Sequence, residues 1–449
     1  MSEAIGRYLE RTAPRYTSYP TALSFSDEVD GGCYASWLGA LERGTSLSLY
    51  LHIPFCRSMC WFCGCYTKIT RRYEPVAAYL KTLEREIDLI ARLLPAGLKV
   101  DHLHWGGGSP TIIRPDDWMR LDDRLRRRFR FADDAEIGVE IDPRTVEDDH
   151  LAAYAATGVT RVSLGVQDFA SRVQKAINRV QPFEMTAGLV DRLRAHGIDT
   201  ISLDLMYGLP HQTMAGVAET ASRAAKLRPG RVALFGYAHV PWMKRHQTKI
   251  EERALPDSTA RLAQFAAAAD CLGEAGYVAI GLDHFAMPDD ALARAAADGT
   301  LTRNFQGYTT DRASALIGLG ASAITHLPQG YAQNAAPVAK WRAAIEQGRP
   351  ATVRGVILRQ DDRVRGTVIE RLMCDLHVDL SKVRRRFELE DDFFRAEIDQ
   401  LRPLADAGAV VVEGDSLSVT EKGRPLVRLV AATFDNRTPG EERRSSRVV

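Results

Sequence analysis

Between residues 47 and 237, short apolar runs alternate with longer stretches whose apolar positions recur at helical spacing. The runs at 47–53, 100–105, 136–141, 161–166, 200–206 and 231–237 predict strands. The patterns at 76–94, 116–129, 146–157, 183–196 and 214–226 predict helices between them. Glycine or proline often marks the joins, as in Thr157-Gly158, His196-Gly197 and Arg228-Pro229-Gly230. Strands alternating with helices of this length imply right-handed βαβ units around a parallel sheet, an α/β fold. Six such units suit either a partial β/α barrel or a doubly wound sheet.

The strand ends favour the barrel. The first predicted strand runs into a cysteine-rich loop, and the second into Gly106-Gly107-Gly108-Ser109-Pro110. Glu140 and Asp142 close the third, Gln167 and Asp168 the fourth, Asp204 the fifth, and Tyr237-Ala238-His239 the sixth. A barrel gathers its active site from successive loops at that one face, whereas a doubly wound sheet concentrates binding at a single switch point.

Beyond the barrel, 256–276 predicts a helix and 304–324 a loop-and-helix continuation. Short helices follow at 364–376, 380–387 and 391–406. A hairpin at 409–412 and 416–419 turns around Glu413-Gly414-Asp415. The expected organisation is an N-terminal extension over 1–45, a barrel with its continuation over 46–335, and a smaller, mostly helical, winged-helix-like domain over 336–449. The charged tail at 441–447 is expected to fray.

Composition narrows the function. The chain has 449 residues, 45% hydrophobic and 26% charged, with a formal net charge of +1. That balance lacks the Lys and Arg excess of a nucleic-acid binder. No apolar run is long enough to span a bilayer, and the first residues lack a secretory h-region, so the expected compartment is the cytoplasm. Of seven cysteines, four fall in Cys56-Arg-Ser-Met-Cys60-Trp-Phe-Cys63-Gly-Cys65. An odd count with the others scattered argues against a disulfide framework and for metal or redox chemistry. Cys33, Cys271 and Cys374 read as small core hydrophobes.

Cys56, Cys60 and Cys63 put three thiolates on one loop directly after a strand. Structural zinc usually takes four ligands, commonly as two separated pairs. Three ligands from one loop suit a four-iron four-sulfur (4Fe-4S) cluster with one iron open to a non-protein ligand. Phe55, Met59, Trp61 and Phe62 would shield it. A zinc-binding loop is the plainer alternative.

This spacing resembles the radical S-adenosylmethionine superfamily, and Gly106 to Thr111 looks like the glycine motif by which that superfamily holds the methionine amino group. Further blocks narrow the resemblance: Pro14-Arg15-Tyr16-Thr17-Ser18-Tyr19-Pro20-Thr21, His52-Ile53-Pro54-Phe55-Cys56, Cys63-Gly64-Cys65, Gly165-Val166-Gln167-Asp168-Phe169, Asp204-Leu205-Met206-Tyr207-Gly208-Leu209-Pro210, Asp283-His284-Phe285-Ala286 and Asn304-Phe305-Gln306-Gly307-Tyr308. Over residues 14 to the low 430s the chain is similar to the oxygen-independent coproporphyrinogen III oxidases.

That resemblance implies a cluster that reduces a bound S-adenosylmethionine to methionine and a 5′-deoxyadenosyl radical. The radical takes a hydrogen from a substrate propionate, carbon dioxide leaves, and a vinyl group forms after a second electron departs. Two propionates of coproporphyrinogen III react, giving protoporphyrinogen IX in heme biosynthesis. The implied cluster ligands are Cys56, Cys60 and Cys63. Tyr50, Phe62, Gly107, Gly108, Ser109, Glu140, Gln167, Arg179 and Asp204 would surround the cofactor. Ala238, Gln306 and Ile324 match positions that contact a second S-adenosylmethionine. Cys65 is a candidate catalytic thiol. The segment 15–21 is a candidate substrate lid, with Arg15 on a propionate. A reducing electron donor and a terminal acceptor are implied partners, and the chain is expected to act as a monomer.

Plainer readings stand beside these. Glu140 and Asp204 could cap helices, Arg179 could be solvated, and Tyr50, Ala238 and Ile324 could be packing. His52 and His284 could be oriented core histidines. A heme chaperone of the same superfamily is one alternative, although such proteins typically carry an acidic residue and Phe where this chain has Gly64-Cys65. A radical tetrapyrrole methyltransferase is another.

Overall fold

The computed structural model describes residues 3–437 and 447–448. Its centre is a twelve-stranded sheet. In chain order the strands are β1 (Ser46–Ile53), β2 (Lys99–Gly107), β3 (Arg130–Ile141), β4 (Arg161–Gln167), β5 (Thr200–Tyr207), β6 (Arg231–Gly236), β7 (Val278–Ile280), β8 (His284–Ala286), β9 (Ala315–Leu319), β10 (Ile324–Leu327), β11 (Gly330–Asn334) and β12 (Thr352–Ile357). Across the sheet they run β12-β11-β10-β9-β1-β2-β3-β4-β5-β6-β8-β7. From β9 to β6 neighbours are parallel, and the strands added at either edge are antiparallel. The end strands β12 and β7 do not pair, so the barrel is partial.

The helices joining the parallel strands are α1 (Glu74–Leu93), α2 (Pro115–Arg128), α3 (Asp148–Ala156), α4 (Phe183–Ala195) and α5 (Met214–Lys226), followed by α6 (Ser258–Glu274) and α7 (Val338–Glu346). Apart from a few register shifts the strands alternate, and this decides where chemistry can occur. Leu47, Leu49, Leu51 and Ile53 of β1 are buried together with Leu103 and Trp105 of β2 and Val139 and Ile141 of β3, in one core that includes the helices. The intervening residues Ser48, Tyr50, His52, His102, His104, Glu136, Glu140, Arg161, Ser163 and Asp204 point to the other face. The barrel interior is therefore polar. It is also internally bonded: Arg161 Nε lies 3.0 Å from Glu136, and Ser163 donates to Asp204 at 3.0 Å.

Three sequence expectations change. Residues 304–324 hold no helix; Ala315–Leu319 is β9, a seventh parallel strand beside β1. A short apolar run does not by itself distinguish a buried strand from a helix. Nor does the sheet end at residue 335: β12 pairs with β11, carrying it to Ile357. The third concerns the N-terminal extension, which does more than cover the barrel. Ile5, Tyr8, Leu9, Ala13, Tyr16 and Tyr19 are buried in the core of the C-terminal unit. That unit consists of α8 (Gln360–Asp375), α9 (Leu380–Phe387), α10 (Arg395–Asp406), α11 (Val427–Ala432) and a small antiparallel sheet of His377–Asp379, Ser416–Val419 and Val410–Glu413. Helices with a two-stranded wing match the winged-helix-like expectation. Apart from Arg447, the charged tail lies outside the described residues. Among the described residues, no helix is long and apolar enough to cross a membrane.

Candidate functional site

The cysteine loop leaves β1 at the C-terminal end of the parallel strands and is tied down on several sides. Trp61 N donates to Ile177 O at 3.0 Å, and Asn178 Nδ2 to Met59 O at 2.8 Å. The segment after β6 grips the same loop: Gln247 Nε2 donates to Phe62 O at 3.0 Å, His246 Nε2 to Cys63 O at 2.7 Å, and Lys244 Nζ to Cys65 O at 3.3 Å. Gln247 also donates to Ala238 O at 3.2 Å. Phe62 and Trp61 pack with Val173, Ile177, Leu209 and Tyr237.

The glycine loop closes the opposite side. Gly108 N donates to Ile53 O at 2.8 Å and Ser109 N to Phe55 O at 2.9 Å. A Cβ at Gly107 would meet His52 at 2.7 Å, and one at Gly108 would meet Phe55 O and Thr67 Oγ1, each at 2.7 Å. The glycines therefore let β2 press against the cysteine loop, a protein contact that comes before any ligand. Gly107 also has a φ of 115°, a conformation glycine adopts freely. Ser109 is buried, its hydroxyl 2.6 Å from Thr111 Oγ1.

Three side chains donate to cysteine sulfurs. Thr67 Oγ1 donates to Cys56 Sγ at 3.3 Å, Arg144 Nη2 to Cys60 Sγ at 3.4 Å, and Arg179 Nη1 to Cys60 Sγ at 3.6 Å. Arg179 also pairs with Asp142 at 3.4 Å and bonds Gly165 O at 2.5 Å, while its buried Nε has no hydrogen-bond partner among the described residues. Cys65 is exposed and shares a hydrogen bond with Cys63 that favours a thiolate on Cys63 and a thiol on Cys65. Cys33, Cys271 and Cys374 lie elsewhere, packed on apolar clusters.

The inward-facing residues continue the site. The Tyr50 ring stacks on His104 at 6.0 Å, and its hydroxyl lies 3.0 Å from His52 Nδ1. Glu140 accepts from Gly107 N at 3.1 Å and from His104 at 3.2 Å. Burial alone would raise the Glu140 pKa, yet His104, the Gly107 N–H and His52 together hold it below the usual carboxylate value. Asp204 goes the other way: burial, helped by the charge of Glu140, raises it to about 7 against the Ser163 hydrogen bond. One carboxylate is thus a fixed anion, and the other can accept or donate near neutrality. Gln167 takes a φ of 71° at a register shift in β4, a strained backbone that turns it away from the strand's regular alternation.

Beside this constellation lies a cavity of about 670 Å3. Ala238 and Arg15 line it, with Tyr237, Trp242, Arg261 and Arg303. Gln306 sits at the tip of the hairpin Thr302–Asn304/Gly307–Thr309, and Ile324 packs near Phe305 and Tyr331; neither lines the cavity. Sequence reading missed Thr67, Arg144, His104, Asn178 and Gln247. Only the position of Arg144, two residues after Asp142 at the end of β3, gave any hint.

The fit to a 4Fe-4S cluster rests on donor chemistry. Among the described residues, no three His, Cys, Asp or Glu side chains close on a single metal ion. A cubane asks for something else, namely separate thiolates on separate irons, with N–H and O–H donors to the sulfurs. Three soft ligands on one pinned loop meet that demand.

A family model described as the Radical SAM superfamily matches residues 50–224, and one described as the HemN C-terminal domain matches 358–426. Together with the thiol loop and the polar barrel interior, this makes the protein a radical S-adenosylmethionine enzyme, a class that uses a 4Fe-4S cluster and S-adenosylmethionine. An oxygen-independent coproporphyrinogen III oxidase of Bradyrhizobium diazoefficiens is 50% identical over 98% of each chain. One from Salmonella typhimurium is 41% identical over 94% of this chain and 93% of its own. The structure of coproporphyrinogen III oxidase (HemN) from Escherichia coli, described as a radical SAM enzyme, superposes with a TM-score of 0.90 at 42% identity, covering 94% of this chain and 98% of that one. The chain belongs to the oxygen-independent coproporphyrinogen III oxidases.

Proposed function

We infer that this chain decarboxylates two propionates of coproporphyrinogen III oxidatively, without oxygen, giving protoporphyrinogen IX for heme. The observation that carries this is 50% identity to such an oxidase across 98% of both chains. When bound, the cluster and S-adenosylmethionine supply a reducing electron and a hydrogen-abstracting carbon radical. The protein binds, orients and shields.

Cys56, Cys60 and Cys63 hold the cluster, and the donors from Thr67, Arg144 and Arg179 spread the thiolates' negative charge. Gly107, Gly108 and Ser109 form the wall at the methionine end. Glu140, kept ionised and oriented by His104, would offer a negative charge to the cofactor's sulfonium, and Asp204 would be able to take a ribose hydroxyl in either protonation state. Gln167, Arg179, Tyr50 and the Phe62 backbone complete that enclosure. Ala238, Gln306 and Ile324 are proposed contacts of a second S-adenosylmethionine. A reduced cytoplasmic electron donor, a separate terminal acceptor and a monomeric state complete the reading.

Two variants test the loop. Cys60→Ser, reconstituted anaerobically, is expected to lose the broad iron–sulfur absorption and all S-adenosylmethionine cleavage, while Cys271→Ser keeps both. Full iron in Cys60→Ser removes that ligand from the set. Cys65→Ser is expected to keep its iron and lose porphyrinogen turnover; mass spectrometry of the porphyrin product reads this directly. Wild-type turnover makes Cys65 structural, and lost iron makes it a ligand.

A further inference from the structure

The cavity beside the site carries a charge pattern that the cofactors do not explain. Five arginines line it (Arg15, Arg261, Arg303, Arg428 and Arg447) against three carboxylates, Glu252, Asp257 and Asp283. The carboxylates are already engaged. Asp257 caps α6 through Ala260 N at 2.8 Å, Glu252 lies 3.1 Å from His239, and Asp283 lies 2.8 Å from His284.

Among the described residues Arg15 and Arg261 form no ion pair, and Arg303 forms only a long one. Arg15 donates to Gly236 O at 3.0 Å, and Arg261 to Tyr237 O at 2.8 Å; both acceptors are neutral carbonyls. The Arg303 side chain is only 6% exposed and lies over the Tyr308 ring at 4.3 Å. Its nearest carboxylate, Asp283, is 3.8 Å away. Arg303 Nε and Nη1 have no hydrogen-bond partner among the described residues. The glycines show that this cluster is built: a Cβ at Gly208 would collide with Arg261, and one at Gly236 would come within 2.9 Å of Tyr207 Oη. Arg428 fixes the N-terminal segment, donating to the carbonyls of Pro14 and Ala13, and so holds Arg15 in the wall.

Burial, followed by mutual repulsion, lowers the pKa of Arg261 and Arg428, the latter to about 9. Arg15 is open to the cavity's solvent yet is also lowered, by surrounding protein and by Arg303. Cations held together at such a cost gain from any anion placed among them. Among the guanidiniums, Trp242, Tyr237 and Phe265 add apolar aromatic lining. The segment that carries Tyr237 and Trp242 is the one whose His246 and Gln247 clasp the cysteine loop, which ties the cavity wall to the proposed cluster loop.

We propose that this cavity is the substrate's carboxylate grip: Arg15, Arg261 and Arg303 bind propionates of the tetracarboxylate ring while Trp242 and Tyr237 pack on its pyrrole face. The proposal rests on the porphyrinogen reading above and adds the residues that select for it. Arginine suits the task because its planar fork pairs with a carboxylate, and aromatic side chains suit the flat apolar faces of the individual pyrrole rings.

The test uses the anaerobic holoenzyme. Arg15→Gln and Arg303→Gln are each expected to raise KM for coproporphyrinogen III by about tenfold with kcat much less affected, and to weaken binding of fluorescent coproporphyrin III by a like factor. Arg15→Lys is expected to recover part of the loss. Mesoporphyrin, with two carboxylates, is expected to bind the wild type at least about tenfold more weakly than coproporphyrin III. KM and coproporphyrin affinity within about twofold of wild type in both Gln variants would overturn the proposal. Should a variant lose its iron or unfold, the wild-type carboxylate series decides, and equal affinity for the two porphyrins overturns it. A wild type that cleaves S-adenosylmethionine but leaves coproporphyrinogen III untouched sinks the functional reading instead, and the cavity is then judged by coproporphyrin binding alone.

Discussion

Removing residues 1–21 is expected to unfold the C-terminal unit, not merely to uncover the barrel mouth. Ile5, Tyr8, Leu9, Ala13, Tyr16 and Tyr19 are buried against Val368, Leu372, Val427 and Phe434. At about 1.5–3 kcal/mol for each large apolar side chain buried, the five larger ones amount to at least roughly 7 kcal/mol, comparable to the ~5–15 kcal/mol that holds a whole domain together. Polar ties add to this: Tyr16 donates to Asp435 at 3.0 Å, Tyr19 to Asn436 at 2.7 Å, and Arg428 to Pro14 O at 2.9 Å. The truncated protein should therefore show a lost or strongly lowered thermal transition and increased binding of a hydrophobic dye, and turnover should vanish with them. An unchanged melting temperature would mean that this packing contributes little to stability, and would leave a simple lid as the segment's role.

That outcome separates what the chain reveals locally from what only folding assembles. The βα alternation is legible because period 2 and period 3.6 are properties of neighbouring residues, and the cysteine loop because its ligands lie within ten residues of one another. Even the polar barrel interior is written in β1, where Ser48, Tyr50 and His52 alternate with leucines. The strand Ala315–Leu319 was hidden because Ala315, Ile317, Leu319 and the intervening positions form a short apolar run with no telling period. The arginine cavity was hidden for a different reason. Arg15, Arg261, Arg303 and Arg428 come from four elements far apart in the chain, and a formal net charge of +1 cannot show that their acidic counterweights lie elsewhere. The N-terminal segment's docking on α8 and α11 pairs positions some 400 residues apart, as in Tyr16 with Asp435. No periodicity records such a contact.

At the candidate site, Gly108→Ala is expected to do damage out of proportion to the single methyl it adds. The new methyl would sit 2.7 Å from Phe55 O, 2.8 Å from Phe55 N and 2.7 Å from Thr67 Oγ1. The threonine hydroxyl can rotate, at the cost of its hydrogen bond to Cys56 Sγ. The Phe55 backbone has no such local freedom: its carbonyl is held by Ser109 N at 2.9 Å and the loop beyond it is tied at Met59, Trp61 and Phe62, so any shift of Phe55 carries the cysteine loop with it. Overpacking of this kind costs about 1–3 kcal/mol, too little to unfold the barrel, so the strain is relieved by moving the cysteine loop. A shift of even about 1 Å at a reacting centre can cost on the order of a hundredfold in rate. Gly108→Ala should thus melt close to wild type, yet take up less iron and lose turnover by about that factor. The control is Gly188→Ala on α4, where nothing lies within 4 Å of the added Cβ; it should match wild type in both respects. Full iron and full turnover in Gly108→Ala would show that the loop yields without consequence, and the glycine would then owe its place to the cofactor it faces rather than to the contact between β2 and the cysteine loop.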